Sequence, residues 1–139
     1  MAARDLIHNA VRNALVKDGW HITHDPLYVR YKGERVYVNL GARRLLAAQR
    51  GEEKIAVEIK SFIGRSLIDD VENALGQYLL YRNLLLKAEP DRIVFLAMTV
   101  TAHSRLTRRE ALSEILSDYD VKLIVVDELS EEVTLWKTS

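Results

Sequence analysis

Cysteine is absent from this chain of 139 residues, so disulfides and thiolate metal sites are excluded. A reducing, cytoplasmic setting is the expectation that goes with that absence. Proline occurs twice and glycine six times, too few for a collagenous or linker-rich chain, and no repeat or low-complexity tract interrupts the pattern. The longest apolar runs, such as IVFLAM at 93–98, fall far short of the ~18 residues of a membrane span. The first residues carry Arg4, Asp5, His8 and Arg12 inside a helical pattern, unlike a signal peptide. Charge of one sign is missing as well. Twenty basic residues cancel twenty acidic ones, so no global field steers the protein onto nucleic acid, and DNA binding would need a local patch. What remains is ordinary: 48% hydrophobic and 29% charged residues, read as one domain over 1–139 with a sizeable core.

Leu6, Ile7, Ala10, Val11, Ala14 and Leu15 form a helical apolar stripe, with His8 at its border and Gly19 as the stop. His21 and His24 lack a third ligand at close spacing and are read as loop or strand residues. After the Asp25-Pro26 turn, YVRYKGERVYVNL (28–40) reads as two strands around Lys32-Gly33-Glu34, the second ending at Asn39. RRLLAAQ (43–49) leans towards strand, and a turn at 50–53 leads into the strand KIAVEIKSF (54–62). Ser66-Leu67-Ile68-Asp69 opens the longest helix as a capping box. Its apolar face is Leu67, Val71, Ala74, Leu75, Tyr78 and Leu85, and Pro90 lies beyond its end. A buried strand (92–100), a helix capped by Thr107-x-x-Glu110, a strand LIVVD (123–127) and a short last strand (133–136) complete the chain. The expected class is α/β (α+β), a mixed central sheet flanked by helices in the order αβββαβαβ.

Within the strand at 54–62, a period of two puts Glu58 and Lys60 on one face, with Val57 and Ile59 on the other. Lys and Glu are seldom buried unless paired or bound to something. A salt bridge on a solvated edge strand is one reading; a functional site is the other. Gln77 and Tyr81, four apart on the next helix, project from one face. They are either a polar edge to a core helix or part of the same site. One cleft is expected to hold Glu58, Lys60 and Gln77, with Asn39 at its floor and His8 or Asp5 at its rim.

Glu-x-Lys at the end of the third strand, with Asn39 at the end of the second, resembles the PD-(D/E)XK nuclease fold, a restriction-endonuclease-like core. Gln77-x-x-x-Tyr81 resembles the element that borders the active site in RecB-like members. This resemblance implies a Mg2+ position at Asn39 and Glu58, with Lys60 beside the attacking water and Gln77 and Tyr81 completing the catalytic set. Asn39 stands where Asp is expected and removes a negative charge, so the implied magnesium binding is weak. More closely, DLIHNAVRNALVKDGWHITHDPL (5–27), LGARRLLAA (40–48), KIAVEIKSF (54–62), ALGQYLLYR (74–82) and KLIVVD (122–127) resemble the XisH family, the fdxN element excision controlling factors. That resemblance implies a helper in programmed excision of a DNA element during cell differentiation (heterocyst differentiation), working with a site-specific recombinase and a XisI-type partner.

Arg105, Arg108 and Arg109 cluster around the start of the Thr107-capped helix, where cations oppose the helix dipole. With Arg65 they are read as phosphate contacts, against the alternative of a solvated face; Arg43 and Arg44 could extend the patch. Three functions compete: a nuclease-like DNA-associated factor, a non-catalytic protein-binding scaffold that regulates the recombinase, and a structural module whose Glu58–Lys60 pair is a salt bridge. A homodimer would suit a two-stranded substrate.

Overall fold

The computed structural model describes residues 3–46 and 51–138. The elements are α1 (Ala3–Lys17), β1 (His21–His24), β2 (Leu27–Tyr31), β3 (Glu34–Val38), β4 (Leu40–Leu46), β5 (Gly51–Ile59), α2 (Leu67–Ala88), β6 (Arg92–Thr99), α3 (Val100–Thr107), α4 (Glu110–Asp118), β7 (Leu123–Asp127) and β8 (Glu132–Lys137). Six strands form a mixed sheet in the order β1-β4-β5-β6-β7-β8, and β2 pairs with β3 in a separate ribbon. The β5–β6 and β6–β7 pairs are parallel; the others in the sheet are antiparallel. Among the described residues no helix is long and apolar enough to cross a membrane.

Strand alternation divides the core into two layers. Ile55 and Val57 of β5 face α1, joining Val11, Ala14, Leu15, Phe95, Ala97, Ile124 and Val126. Ala56 and its neighbours Val94, Leu96 and Met98 face the other side, against Val71, Ala74, Tyr78 and Leu85 of α2. The β2–β3 ribbon lies on that second layer too, because Leu27, Val29 and Val38 alternate inward and bury there. Tyr78 ties the layer together. Its hydroxyl donates to the Val94 carbonyl at 3.2 Å and accepts from the Lys122 backbone N–H at 3.0 Å.

The mixed sheet with helices on both faces matches the expected class, but the order is αβββββαβααββ rather than αβββαβαβ, the strand expected at 54–62 after a turn is β5 at Gly51–Ile59, and further local readings are corrected. The hairpin strands are not in the main sheet; β4, starting at Leu40, is the strand beside β5. The expected strand at 92–100 ends at Thr99, whose hydroxyl caps α3 by accepting from Ala102 N at 3.1 Å. Thr107 is therefore the last residue of α3, donating to the Ser104 carbonyl, and α4 starts without a side-chain cap. Leu6 is 58% exposed and stands off the α1 stripe. At α2, Ser66 Oγ accepts from Asp69 N at 3.3 Å, and the next carboxylate, Asp70, accepts from Gly64 N at 2.9 Å. The end of RRLLAAQ and Arg50 lie outside the described residues.

Candidate functional site

Three elements converge on one cleft. Residues at the end of β5, where Glu58 and Lys60 share the α2-facing side, meet Gln77 and Tyr81 of α2 and Asn39 at the bend between β3 and β4. The cleft measures about 570 Å³, and Asp5 and His8 of α1 also line it. Lys60 is held in line because its backbone N–H continues the β6 pairing, donating to the Ala97 carbonyl at 3.0 Å. His8 is engaged at the mouth, its Nε2 lying 2.9 Å from Asp25 Oδ1, and Arg12 pairs with the same carboxylate.

Among the described residues the buried charged side chains are Glu58 and Arg92. They are satisfied differently. Arg92 donates to the Ile55 carbonyl at 3.0 Å and pairs with Glu89 at 3.3 Å, a structural anchor. Glu58 has longer contacts: Lys60 Nζ at 3.4 Å and the Asn39 backbone N–H at 3.4 Å. Both lie beyond the usual range of charge-assisted hydrogen bonds. Burial accordingly raises the Glu58 carboxyl above its ordinary value, with Lys60 and the Asn39 N–H pulling the other way. The solvated-edge reading fails at this point, because β5 lies between β4 and β6 and its carboxylate is buried.

Asn39 is a hinge as well as a neighbour. Its side-chain oxygen accepts from Ile59 N at 2.8 Å, so the bend after β3 is pinned to β5 next to Glu58. Gln77 Oε1 is shielded from solvent without a hydrogen-bond partner among the described residues. Tyr81 is pushed up to about 12, first by burial and then by the nearby Glu58 and Tyr37, so its phenol stays protonated and is available as a donor.

The basic residues read from the sequence do not gather here. Arg105 sits in the last turn of α3, where a cation is favourable, and donates to the Phe62 carbonyl. Phe62 has φ +53 with its ring buried, so this bond helps hold a sterically disfavoured turn just after Lys60. Arg65, Arg108 and Arg109 are exposed and do not line the cleft; Arg43 and Arg44 pair with Glu52 and Glu53. Sequence reasoning missed Arg35 and Tyr37, which do line it. Alternation with Val36 and Val38 was the available signal.

Matches to known proteins span nearly the whole chain. The XisH protein family matches residues 1–134. This chain belongs to the XisH family. A crystal structure of an fdxN element excision controlling factor protein from Anabaena variabilis is 38% identical, with TM-score 0.86 over 96% of this chain and 99% of that one. An XisH family protein from Nostoc punctiforme PCC 73102 is 35% identical, with TM-score 0.84 and the same coverage of 96% and 99%. No curated protein matches the chain.

Proposed function

We propose that this XisH-family protein is a controlling factor for site-specific excision of a DNA element, acting with a recombinase and a XisI-type partner. We further read its cleft as a PD-(D/E)XK-type nuclease site weakened at the metal position. Supporting the first part is the Anabaena variabilis relative, described as an excision controlling factor and matched along nearly its whole length. The second part rests on one observation: a buried, loosely satisfied Glu58 shares a cleft with Lys60, Asn39, Gln77 and Tyr81.

The donors present fit magnesium in kind but not in charge. Glu58 and Asn39 would hold it, and Gln77 Oε1 adds an unpaired carbonyl, but hard divalent cations are usually held by carboxylates and phosphate oxygens together. Among the described residues no three His, Asp or Glu side chains come close enough to hold a cation. A bound ion would polarise a phosphate oxygen. The chain's own part is simpler: Lys60 offers a cation to a phosphate, Tyr81 a hydrogen-bond donor, and Glu58 orients Lys60.

The same two contacts also suit a non-catalytic scaffold, since Lys60 faces one Glu58 oxygen and the Asn39 N–H the other. DNA binding by the purified protein, measured across a salt series with and without magnesium, separates the two. Salt-sensitive binding that magnesium strengthens supports the nuclease-like reading; absence of binding in every condition leaves the scaffold.

A further inference from the structure

The β2–β3 ribbon has one face in the core and one in solvent. Leu27, Val29 and Val38 bury, while Tyr28, Arg30, Arg35 and Tyr37 point outward. The register sets Tyr28 opposite Tyr37 and Arg30 opposite Arg35. Two like charges directly opposite in an antiparallel pair are destabilising, a cost that stacking on one shared ring offsets. Neither guanidinium has an ion-pair partner among the described residues. Both lie against the Tyr28 ring, at 5.6 Å and 5.2 Å from its centroid. Tyr37, 61% exposed, meets Tyr28 edge-on at 6.1 Å. Lys32 at the turn and Lys87 of α2 both approach Tyr31, so cations also border the far end of the ribbon.

We propose that the outward face of the β2–β3 ribbon is a platform for single-stranded DNA. A base stacks on Tyr37, Tyr28 aligns the two guanidiniums, and Arg30 and Arg35 take phosphates. The chemistry is that of single-strand binding surfaces, which combine an aromatic ring, indifferent to base identity, with cations along the backbone. Its location gives it a use. Arg35 and Tyr37 also line the cleft holding Glu58 and Lys60, so a strand lying on the ribbon is led to those residues. The inference rests on DNA being a partner of the cleft, and it places the contact on residues other than Arg65, Arg108 and Arg109.

The test is fluorescence anisotropy of a labelled mixed-sequence single-stranded oligonucleotide with the full chain, over a salt series, beside the matching duplex and a polyglutamate peptide. Tyr37→Leu is expected to weaken single-strand binding roughly 5- to 150-fold with its salt slope unchanged. The double variant Arg30→Gln/Arg35→Gln should lower that slope by roughly 1.4. Its melting temperature should stay close to the parent's, because relief of the like-charge pair offsets the lost contacts with the Tyr28 ring; a large drop would mark a structural role instead. If the parent binds single strands and both variants bind equally well, the platform is wrong while the DNA reading stands. If the parent binds no DNA in any condition, the DNA reading itself fails and the platform with it. Loss of polyglutamate binding alone, or equal duplex affinity that Tyr37→Leu leaves untouched, would overturn the proposal in favour of an acidic protein segment or a duplex contact.

Discussion

Glu58 carries the clearest conflict between stability and use at the scale of a single residue. Its carboxyl is raised above the ordinary 4.5 chiefly because burial disfavours the charged form. The native protein thus holds that proton more tightly than the unfolded chain does. The penalty is fully present above the folded-state value and disappears as pH falls below 4.5. Glu58→Gln should therefore melt higher than the parent near pH 7, and the difference should shrink to nothing by about pH 4. Thermal melts of both proteins across that range check it, and an equal or lower melting temperature for the variant at pH 7 would mean the carboxylate is well satisfied. Strand alternation alone made the shared face of Glu58 and Lys60 readable. The Asn39 bond to Ile59 N was not readable, since it depends on where the β3–β4 bend falls against β5.

Elements explain which basic residues hold the fold and which are available. Arg105 lies in the last turn of α3 and holds the Phe62 carbonyl, so Arg105→Ala should cost about 1–2 kcal/mol in urea unfolding. Arg108→Ala with Arg109→Ala removes exposed cations at the α3–α4 junction and should leave stability within roughly 0.5 kcal/mol. Should these two residues also touch duplex phosphates, the double variant weakens binding to all sequences alike and its salt slope falls by roughly two units. An unchanged slope would remove that patch from the DNA surface. The sequence misled here for a physical reason. Thr99 and Thr107 are both plausible helix caps, and β-branched Thr99 and Val100, following the apolar run at 93–98, concealed the start of α3. The ribbon's strands were legible from their period of two, but alternation cannot say which sheet a strand joins. That was decided by Leu27, Val29 and Val38 packing onto the α2 layer.

For the whole molecule, helices on both faces of a mixed sheet leave one cleft where β5, α2 and the β3–β4 bend meet. With basic and acidic residues balanced at twenty each, long-range steering is weak and function falls to local groups. The nuclease-like reading turns on whether Asn39 is what keeps a divalent cation from being held there. Its side-chain oxygen is held 2.8 Å from the N–H of Ile59, the residue after Glu58, and its backbone N–H lies 3.4 Å from Glu58 Oε1, so a carboxylate at this position would stand near the first. Asn39→Asp keeps an acceptor for the Ile59 N–H and adds one negative charge with almost no change in volume. Without metal the two carboxylates repel, and the variant should melt below the parent. With millimolar magnesium or manganese, binding to the folded state should restore the loss by mass action, about 2.7 kcal/mol when the cation is at a hundred times its Kd. The deciding measurement is the melting temperature of both proteins with and without metal. A metal-dependent rise in Asn39→Asp, much larger than any in the parent, is the expected result; no such gain would contradict a metal position at Asn39 and Glu58.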